Sequence, residues 1–239
     1  MQSKFGILSK LNFLQDIASL VIAKINPAII HNIEKYYALK KVHYLSAIEH
    51  TQGDYLEFGV FTGSSFCHSI RCCKKLLHIN SKLTSTKFYG FDSFSGFGDL
   101  SKDDQHPFYK DENFETNIKD VEKRISKTIG KNFSYKLIPG YYDISLKKGA
   151  GYFGIKYARI VFIDCDTYAS ANDALLFCSP IIQNGTFIIL DDFFSYKGSI
   201  HHGVAKAFTE FITLNNLEVR KVFTYGMGGV VYVISGTSK

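Results

Sequence analysis

The sequence ARIVFI at residues 158–163 is apolar at five of its six positions, and TFIIL at residues 186–190 has the same character. Short, continuously apolar runs of this kind are typical of β-strands that are buried on both faces in the centre of a parallel sheet. The segment 169–178 between them reads as a helix. The two strands and this helix therefore predict a βαβ unit.

The same alternation extends in both directions along the chain. We expect further strands at 55–60, 87–91, 133–138, 219–223 and 230–234, and helices at 64–77, 113–128 and 204–214. The last two strands are joined only by residues 224–229, which are too few for a helical crossover, so this pair is antiparallel. The residues thus predict an α/β fold with a mostly parallel sheet.

The composition is that of a globular protein. Hydrophobic residues make up 46% of the 239 residues and charged residues 21%, which excludes a disordered or fibrous chain. The formal net charge of +6 weakly favours an anionic ligand. The basic residues are spread along the chain, so no nucleic-acid partner is predicted.

The cysteines and the N-terminal residues bear on the compartment. No pair among the five cysteines has the spacing of a metal site or of a secreted disulfide framework, so we expect reduced thiols and a cytoplasmic protein. Lys4 and Lys10 interrupt the apolar run that a signal peptide needs. The longest apolar stretch, residues 17–30, contains Lys24 and Pro27, so no transmembrane segment is predicted.

The first 50 residues differ from the rest. Apolar residues recur at helical spacing up to Ile25, Pro27 ends or kinks that helix, and 40–49 reads as a further helix. We therefore predict a helical extension over 1–50, serving in an oligomer or as a lid, followed by one domain over 51–239. The apolar face of the extension could pack on the domain, on a second subunit or on a membrane surface, and the even scatter of its lysines favours a homo-oligomer.

The loop after the first strand is rich in glycine. Strand and loop read LEFGVFTGSS at 56–65, where Gly59 and Gly63 let the backbone turn sharply and approach a ligand closely. Glu57 places a carboxylate beside this turn, which repels a pyrophosphate but suits an ammonium or sulfonium ligand. Ser64 or Ser65 is expected to cap the following helix. An ordinary turn between a strand and a helix is the alternative.

The second strand ends in the sequence GFDSF at 90–94. An acid at this position commonly binds the two hydroxyls of a ribose, because an ionised carboxylate accepts hydrogen bonds from both. Asp92 is therefore a candidate nucleotide contact, and a turn or helix-capping aspartate is the alternative interpretation.

Acids follow both of the central apolar strands. Asp164 and Asp166 come after the first, and Asp191 and Asp192 come after the second. If these strands are neighbours in a parallel sheet, their carboxyl ends meet, and the carboxylates repel one another and shift their pKa values. A hard divalent cation such as Mg²⁺ or Mn²⁺ relieves that repulsion. A solvated acidic rim with helix caps is the alternative.

These motifs, taken in order along residues 40–235, resemble the macrocin O-methyltransferase (TylF-like) family of S-adenosylmethionine enzymes. The resemblance implies a Rossmann-like class I methyltransferase fold with a seven-stranded, mostly parallel sheet and an antiparallel last strand. It also implies a divalent metal, Mg²⁺ or Mn²⁺, held at Asp164, Asp191 and Asp192. Known members methylate sugar hydroxyls on natural products, so the expected acceptor is a small molecule or a glycan.

The resemblance also assigns contacts to S-adenosylmethionine. Glu57 would face its charged region, Asp92 and Ser93 its ribose, and Gly140 with Tyr141 its adenine. The remaining predicted cofactor contacts lie in the glycine-rich loop, namely Gly59, Gly63, Ser64 and Ser65.

The general base and the acceptor stay open at this stage. Related catechol-type enzymes carry a lysine three residues after the first metal aspartate, where this chain has Thr167. Asp164, His201 or His202 is therefore the candidate base. A phenol O-methyltransferase and a non-catalytic nucleotide-binding module are the alternatives to a sugar O-methyltransferase. The polar, aromatic segment 97–116 is a candidate lid over the acceptor.

Overall fold

A computed structural model describes residues 11–109 and 114–237. Its centre is a seven-stranded sheet in the order β3-β2-β1-β4-β5-β7-β6. The strands are β1 Asp54–Phe58, β2 Lys87–Asp92, β3 Ser134–Pro139, β4 Ala158–Ile163, β5 Phe187–Leu190, β6 Glu218–Tyr225 and β7 Gly229–Gly236. The first five are parallel, and β7 pairs antiparallel with both β5 and β6, which confirms the predicted fold class.

Helices cover both faces of this sheet. They are α1 Asn12–Lys24, α2 Pro27–Ile48, α3 Ser64–Lys75, α4 Ile118–Ile129, α5 Tyr142–Ser145, α6 Gly149–Tyr152, α7 Tyr168–Cys178 and α8 Gly203–Leu214. Successive side chains of a strand point to opposite faces. Leu56 and Phe58 of β1 accordingly pack with α7 and α8, whereas Tyr55 packs with α2, α3 and α4. Every residue of β4 is buried, as the apolar run predicts.

The N-terminal residues form two helices that meet at about 90°. The first helix ends at Lys24, close to Pro27 as predicted, and Pro27 is the first residue of α2, where the side chain of Asn26 accepts the backbone N–H of Ala28 at 2.9 Å. Helix α1 has no buried residue, but α2 contributes Leu39 and Val42 to the core. The second half of α2 therefore packs as part of the predicted domain, and the division at residue 50 stays a prediction.

Two further sequence expectations concern the thiols and the membrane. The cysteines at 67, 72, 73, 165 and 178 are all free and buried. No single helix among the described residues has the length and apolar character needed to cross a bilayer, although the bent pair α1 and α2 passes that test jointly.

Candidate functional site

A cavity of about 580 Å³ opens at the carboxyl ends of β1, β2, β4 and β5. Ligands of open α/β sheets bind at this end of the strands, and the volume lies in the range of small-molecule sites. The walls come from the glycine-rich loop after β1, the loop after β2, the acids after β4 and β5, and the first turns of α2.

Gly59 is required by close packing at the floor of the cavity. Its φ is +94°, and a Cβ atom built there would lie 1.7 Å from the backbone oxygen of Asp164. Gly63, with φ +73°, is the N-terminal cap of α3, so neither Ser64 nor Ser65 caps that helix as predicted. Both serines instead line the cavity, where they are placed to contact a ligand.

Glu57 is fully buried behind this loop. Ser65 donates to its Oε1 at 2.6 Å, and the hydroxyl of Tyr55 donates to its Oε2. Burial raises the pKa of Glu57 to about 7. Glu57 does not line the cavity, whereas Ser65, which donates to it, does.

Asp92 lines the cavity and organises two loops. Its Oδ2 accepts the backbone N–H of Phe61 at 2.7 Å, and its Oδ1 accepts that of Phe94 at 2.7 Å. Burial raises its pKa despite these hydrogen bonds. Ser93 and Tyr141 also line the cavity, whereas Gly140 lies behind it, where its N–H donates to the Asp92 carbonyl at 2.9 Å.

The predicted acids do converge. Asp164, Asp191 and Asp192 each offer a carboxylate oxygen within 4.8 Å of the others, and Asp166 lines the same wall. Burial and the neighbouring Asp191 raise the pKa of Asp164, and burial and Asp166 raise that of Asp192. Burial and Asp164 raise the pKa of Asp166 to about 7.

A lysine that the sequence analysis did not include lies among these acids. The Nζ atom of Lys35, on α2, is 2.9 Å from Asp164 Oδ2 and 2.7 Å from Asp191 Oδ2. His31, one helical turn earlier, donates from Nε2 to Asp191 Oδ2 at 3.1 Å. Burial opposes the ionisation of Asp191, but the charge of Lys35 and the contact with His31 outweigh it and hold its pKa below the ordinary range.

As arranged here, the cluster does not fit a divalent ion. The oxygen donors are of the right kind, but the ammonium of Lys35 already lies between two of the three predicted ligands. Tyr225 donates to the other oxygen of Asp191 at 2.6 Å. Metal binding at these acids therefore stays a prediction, drawn from the residues and from the resemblance.

The sequence model of the macrocin-O-methyltransferase family, TylF, matches residues 34–225. The chain belongs to this family. The match includes the glycine-rich loop, Asp92, all four acids and Lys35.

Solved structures of other O-methyltransferases share the fold. The O-methyltransferase NovP is 16% identical, with 83% of this chain and 80% of that chain covered and a TM-score of 0.64. The calicheamicin methyltransferase CalS11 is 14% identical over 83% and 77%, with a TM-score of 0.63. TomG from Streptomyces achromogenes, solved with S-adenosylmethionine, is 12% identical over 83% and 80%, with a TM-score of 0.53. No curated protein matches the chain.

In this macrocin O-methyltransferase family member the predicted histidine bases lie outside the cavity. His201 and His202 are both exposed, and His202 Nδ1 contacts Ser199 Oγ at 2.9 Å. Neither histidine lines the cavity, and the segment before them contains Tyr196 and Lys197, both of which have positive φ. The prediction that either histidine is the base thus has no geometric support. The histidines that line the cavity are His31 and His106.

The predicted lid is partly described. Residues 110–113 lie outside the described part of the chain. The cavity is lined by five ring-bearing residues of this segment, namely Phe97, His106, Phe108, Tyr109 and Phe114. Tyr109 donates to Ser195 Oγ at 3.1 Å, which joins this segment to the loop after β5. An aromatic wall over the acids is therefore present, and its opening and closing stays a prediction.

Proposed function

We propose that this family member is an S-adenosylmethionine-dependent O-methyltransferase that acts on a sugar hydroxyl of a glycan or glycosylated metabolite. One observation carries the proposal. Asp92, at the strand end that commonly binds a ribose, lines the same cavity as the cluster of Asp164, Asp191 and Asp192. Methyl transfer is an in-line displacement, so an enzyme contributes mainly by holding donor and acceptor together in the correct orientation.

The donor half of the cavity fits S-adenosylmethionine. Asp92 and Tyr141 both line the cavity, and in this proposal Asp92 binds the ribose hydroxyls and Tyr141 packs against the adenine. Gly59 and Ser64 of the loop after β1 line this half of the cavity. When bound, the cofactor supplies a methyl group on a positively charged sulfur.

The acceptor half offers carboxylates that can take a proton. The oxygen–methyl bond forms as the sulfur–methyl bond breaks, and the hydroxyl proton must pass to a base. Asp164 is paired with Lys35, whereas Asp166 lines the cavity with no described cation within salt-bridge distance. We therefore favour Asp166 over the predicted Asp164 as the proton acceptor.

The family and the solved neighbours support a sugar acceptor. CalS11 is described as a TDP-rhamnose 3'-O-methyltransferase. The aromatic wall formed by Phe97, Phe108 and Tyr109 offers apolar faces against which a sugar ring can pack.

A phenolic acceptor is the second candidate. The absence of a lysine at position 167 is the sequence argument against it, since Thr167 instead caps α7 by accepting the N–H of Ser170. Lys35 weakens that argument, because its ammonium reaches the same acids from α2 instead of from position 167. The retained acids argue against a non-catalytic nucleotide-binding module.

We propose that the exposed apolar face of α1 packs against a second copy of the chain. Phe13 is 74% exposed and Leu20 is 63% exposed, and Ile17 and Val21 are exposed as well. Exposed apolar side chains grouped on one helix are typical of a protein interface. Sedimentation should show a homo-oligomer, and Phe13→Ser with Leu20→Ser should give monomers. A wild-type monomer would contradict this assignment.

The test of function is transfer of labelled methyl groups. The chain is incubated with methyl-labelled S-adenosylmethionine and panels of glycosylated metabolites, nucleotide sugars and catechols, each with EDTA or added Mg²⁺. Label in a sugar hydroxyl supports the proposal, and label only in catechols supports the phenolic alternative. Failure to bind S-adenosylhomocysteine in calorimetry would refute both.

A further inference from the structure

Lys35 lies where a cation shared by Asp164 and Asp191 would lie. Its Nζ atom is 2.9 Å from Asp164 Oδ2 and 2.7 Å from Asp191 Oδ2. The side chains of Lys35 and Asp191 are only 12% and 4% exposed. Because this ion pair is largely shielded from water, salt screens it much less than a surface pair.

Both oxygens of the Asp191 carboxylate have partners. Tyr225 donates to Oδ1, while Lys35 and His31 share Oδ2. His31 Nδ1 accepts the backbone N–H of Met227 at 3.2 Å, so its Nε2–H is the donor to Asp191. A divalent ion that bridges Asp191 to Asp164 through Oδ2 would have to displace Lys35 or His31 from that oxygen.

The packing of α2 holds Lys35 in this place. Next to it, Glu34 accepts the backbone N–H of Gly226 in the turn between β6 and β7. Near the other end of the helix, the buried guanidinium of Arg159 donates to Ser46 Oγ at 2.7 Å. The helix that carries Lys35 is therefore held in place by contacts on both sides of this residue.

We propose that Lys35 is the resident cation of this acidic cluster and that its ammonium excludes a divalent ion from Asp164 and Asp191. This departs from what the resemblance to metal-dependent enzymes implies. A divalent ion between the two carboxylates would lie at the position of Nζ, and two cations that close repel strongly in a buried site. Only one consequence of this inference rests on the proposed function, namely that a chelator should not suppress methyl transfer.

Manganese binding tests the proposal directly, because Mn²⁺ takes the same oxygen ligands as Mg²⁺. The full chain is titrated with MnCl₂ without donor or acceptor, and free Mn²⁺ is followed by electron paramagnetic resonance. We expect wild type to leave Mn²⁺ free. Lys35→Met should bind it at least about tenfold more tightly, because Asp164 and Asp191 then lack the cation that pairs with them. Lys35→Arg keeps the charge, and Lys40→Met removes an exposed lysine of the same helix; both should behave as wild type.

Tight Mn²⁺ binding by wild type that Asp191→Asn abolishes would overturn the proposal, whether or not Lys35→Met folds. A folded Lys35→Met that binds no more Mn²⁺ than wild type would overturn it as well. No methyl transfer enters these measurements. A chain that excludes Mn²⁺ but methylates no acceptor would therefore refute the proposed function and leave this inference standing.

Discussion

Lys35 and Asp164 are separated by 129 residues in the chain, yet the lysine ammonium lies 2.9 Å from the aspartate carboxylate. Lys35 lies on α2, the second helix of the chain, and Asp164 follows the central strand β4. The contact makes α2 a wall of the functional cavity. The N-terminal region is therefore part of the site as well as a candidate surface for assembly.

Asp92→Asn should weaken binding of S-adenosylhomocysteine by about 1.5–3 kcal/mol, because the hydroxyls of a ribose lose a charged acceptor. Isothermal titration calorimetry measures the change. Asp99→Asn, in the exposed part of the same loop, is the matched control and should bind as wild type. Unchanged affinity in Asp92→Asn would reject the ribose assignment.

Asp166→Asn should lower kcat by about 10²–10⁴-fold while leaving donor affinity intact, because the proton acceptor is lost. Asp166 has a φ of +64°, a conformation that asparagine also tolerates, so the backbone should be preserved. Steady-state kinetics provide the test, with the acceptor that the labelled-methyl assay identifies. Asp143→Asn at the exposed start of α5 serves as the control, and near-normal turnover in Asp166→Asn would show that another group takes the proton.

Glu57 should make stability depend on pH. Its pKa in the folded chain is about 7, above the ordinary value of 4.5, so its contribution to stability is present below the ordinary pKa and is lost as pH rises through 7. Glu57→Gln stays neutral, so the free energy of unfolding of wild type relative to this variant should fall by up to about 3 kcal/mol between pH 4 and pH 8. Urea unfolding at several pH values measures this difference. Glu122→Gln on the exposed face of α4 should show no such trend, and a pH-independent difference for Glu57→Gln would contradict the assignment.

Gly59→Ala should destabilise the fold by about 3 kcal/mol or more, or prevent folding, because the new Cβ atom meets the Asp164 backbone. Gly151→Ala is the matched control, since a Cβ atom at Gly151 has no neighbour within 4 Å. Thermal and urea unfolding of the two variants compare the sites. Equal stability would mean that the two backbones lie further apart.

Much of the architecture was predictable because it depends on local pattern. The apolar runs before Asp164 and Asp191 predict central strands, and parallel strands that are neighbours bring their carboxyl ends together. The convergence of Asp164, Asp191 and Asp192 therefore followed from chain order and strand direction alone, and the short link at 224–229 correctly predicted the antiparallel ending.

The partners of these acids were decided by the tertiary structure. Nothing in the local sequence distinguishes Lys35 or His31 from other polar residues of a helix, and nothing near His201 shows that it lies outside the cavity. Their positions depend on how α2 packs against the sheet and on the conformation of the loop after β5, where Tyr196 and Lys197 have positive φ. Periodicity and motif spacing describe neighbours along the chain, whereas the pairing of an ammonium with a distant carboxylate is set by the packing of whole elements. For this reason the sequence alone determined the fold and the place where the acids meet, and only the folded chain decided which cation meets them.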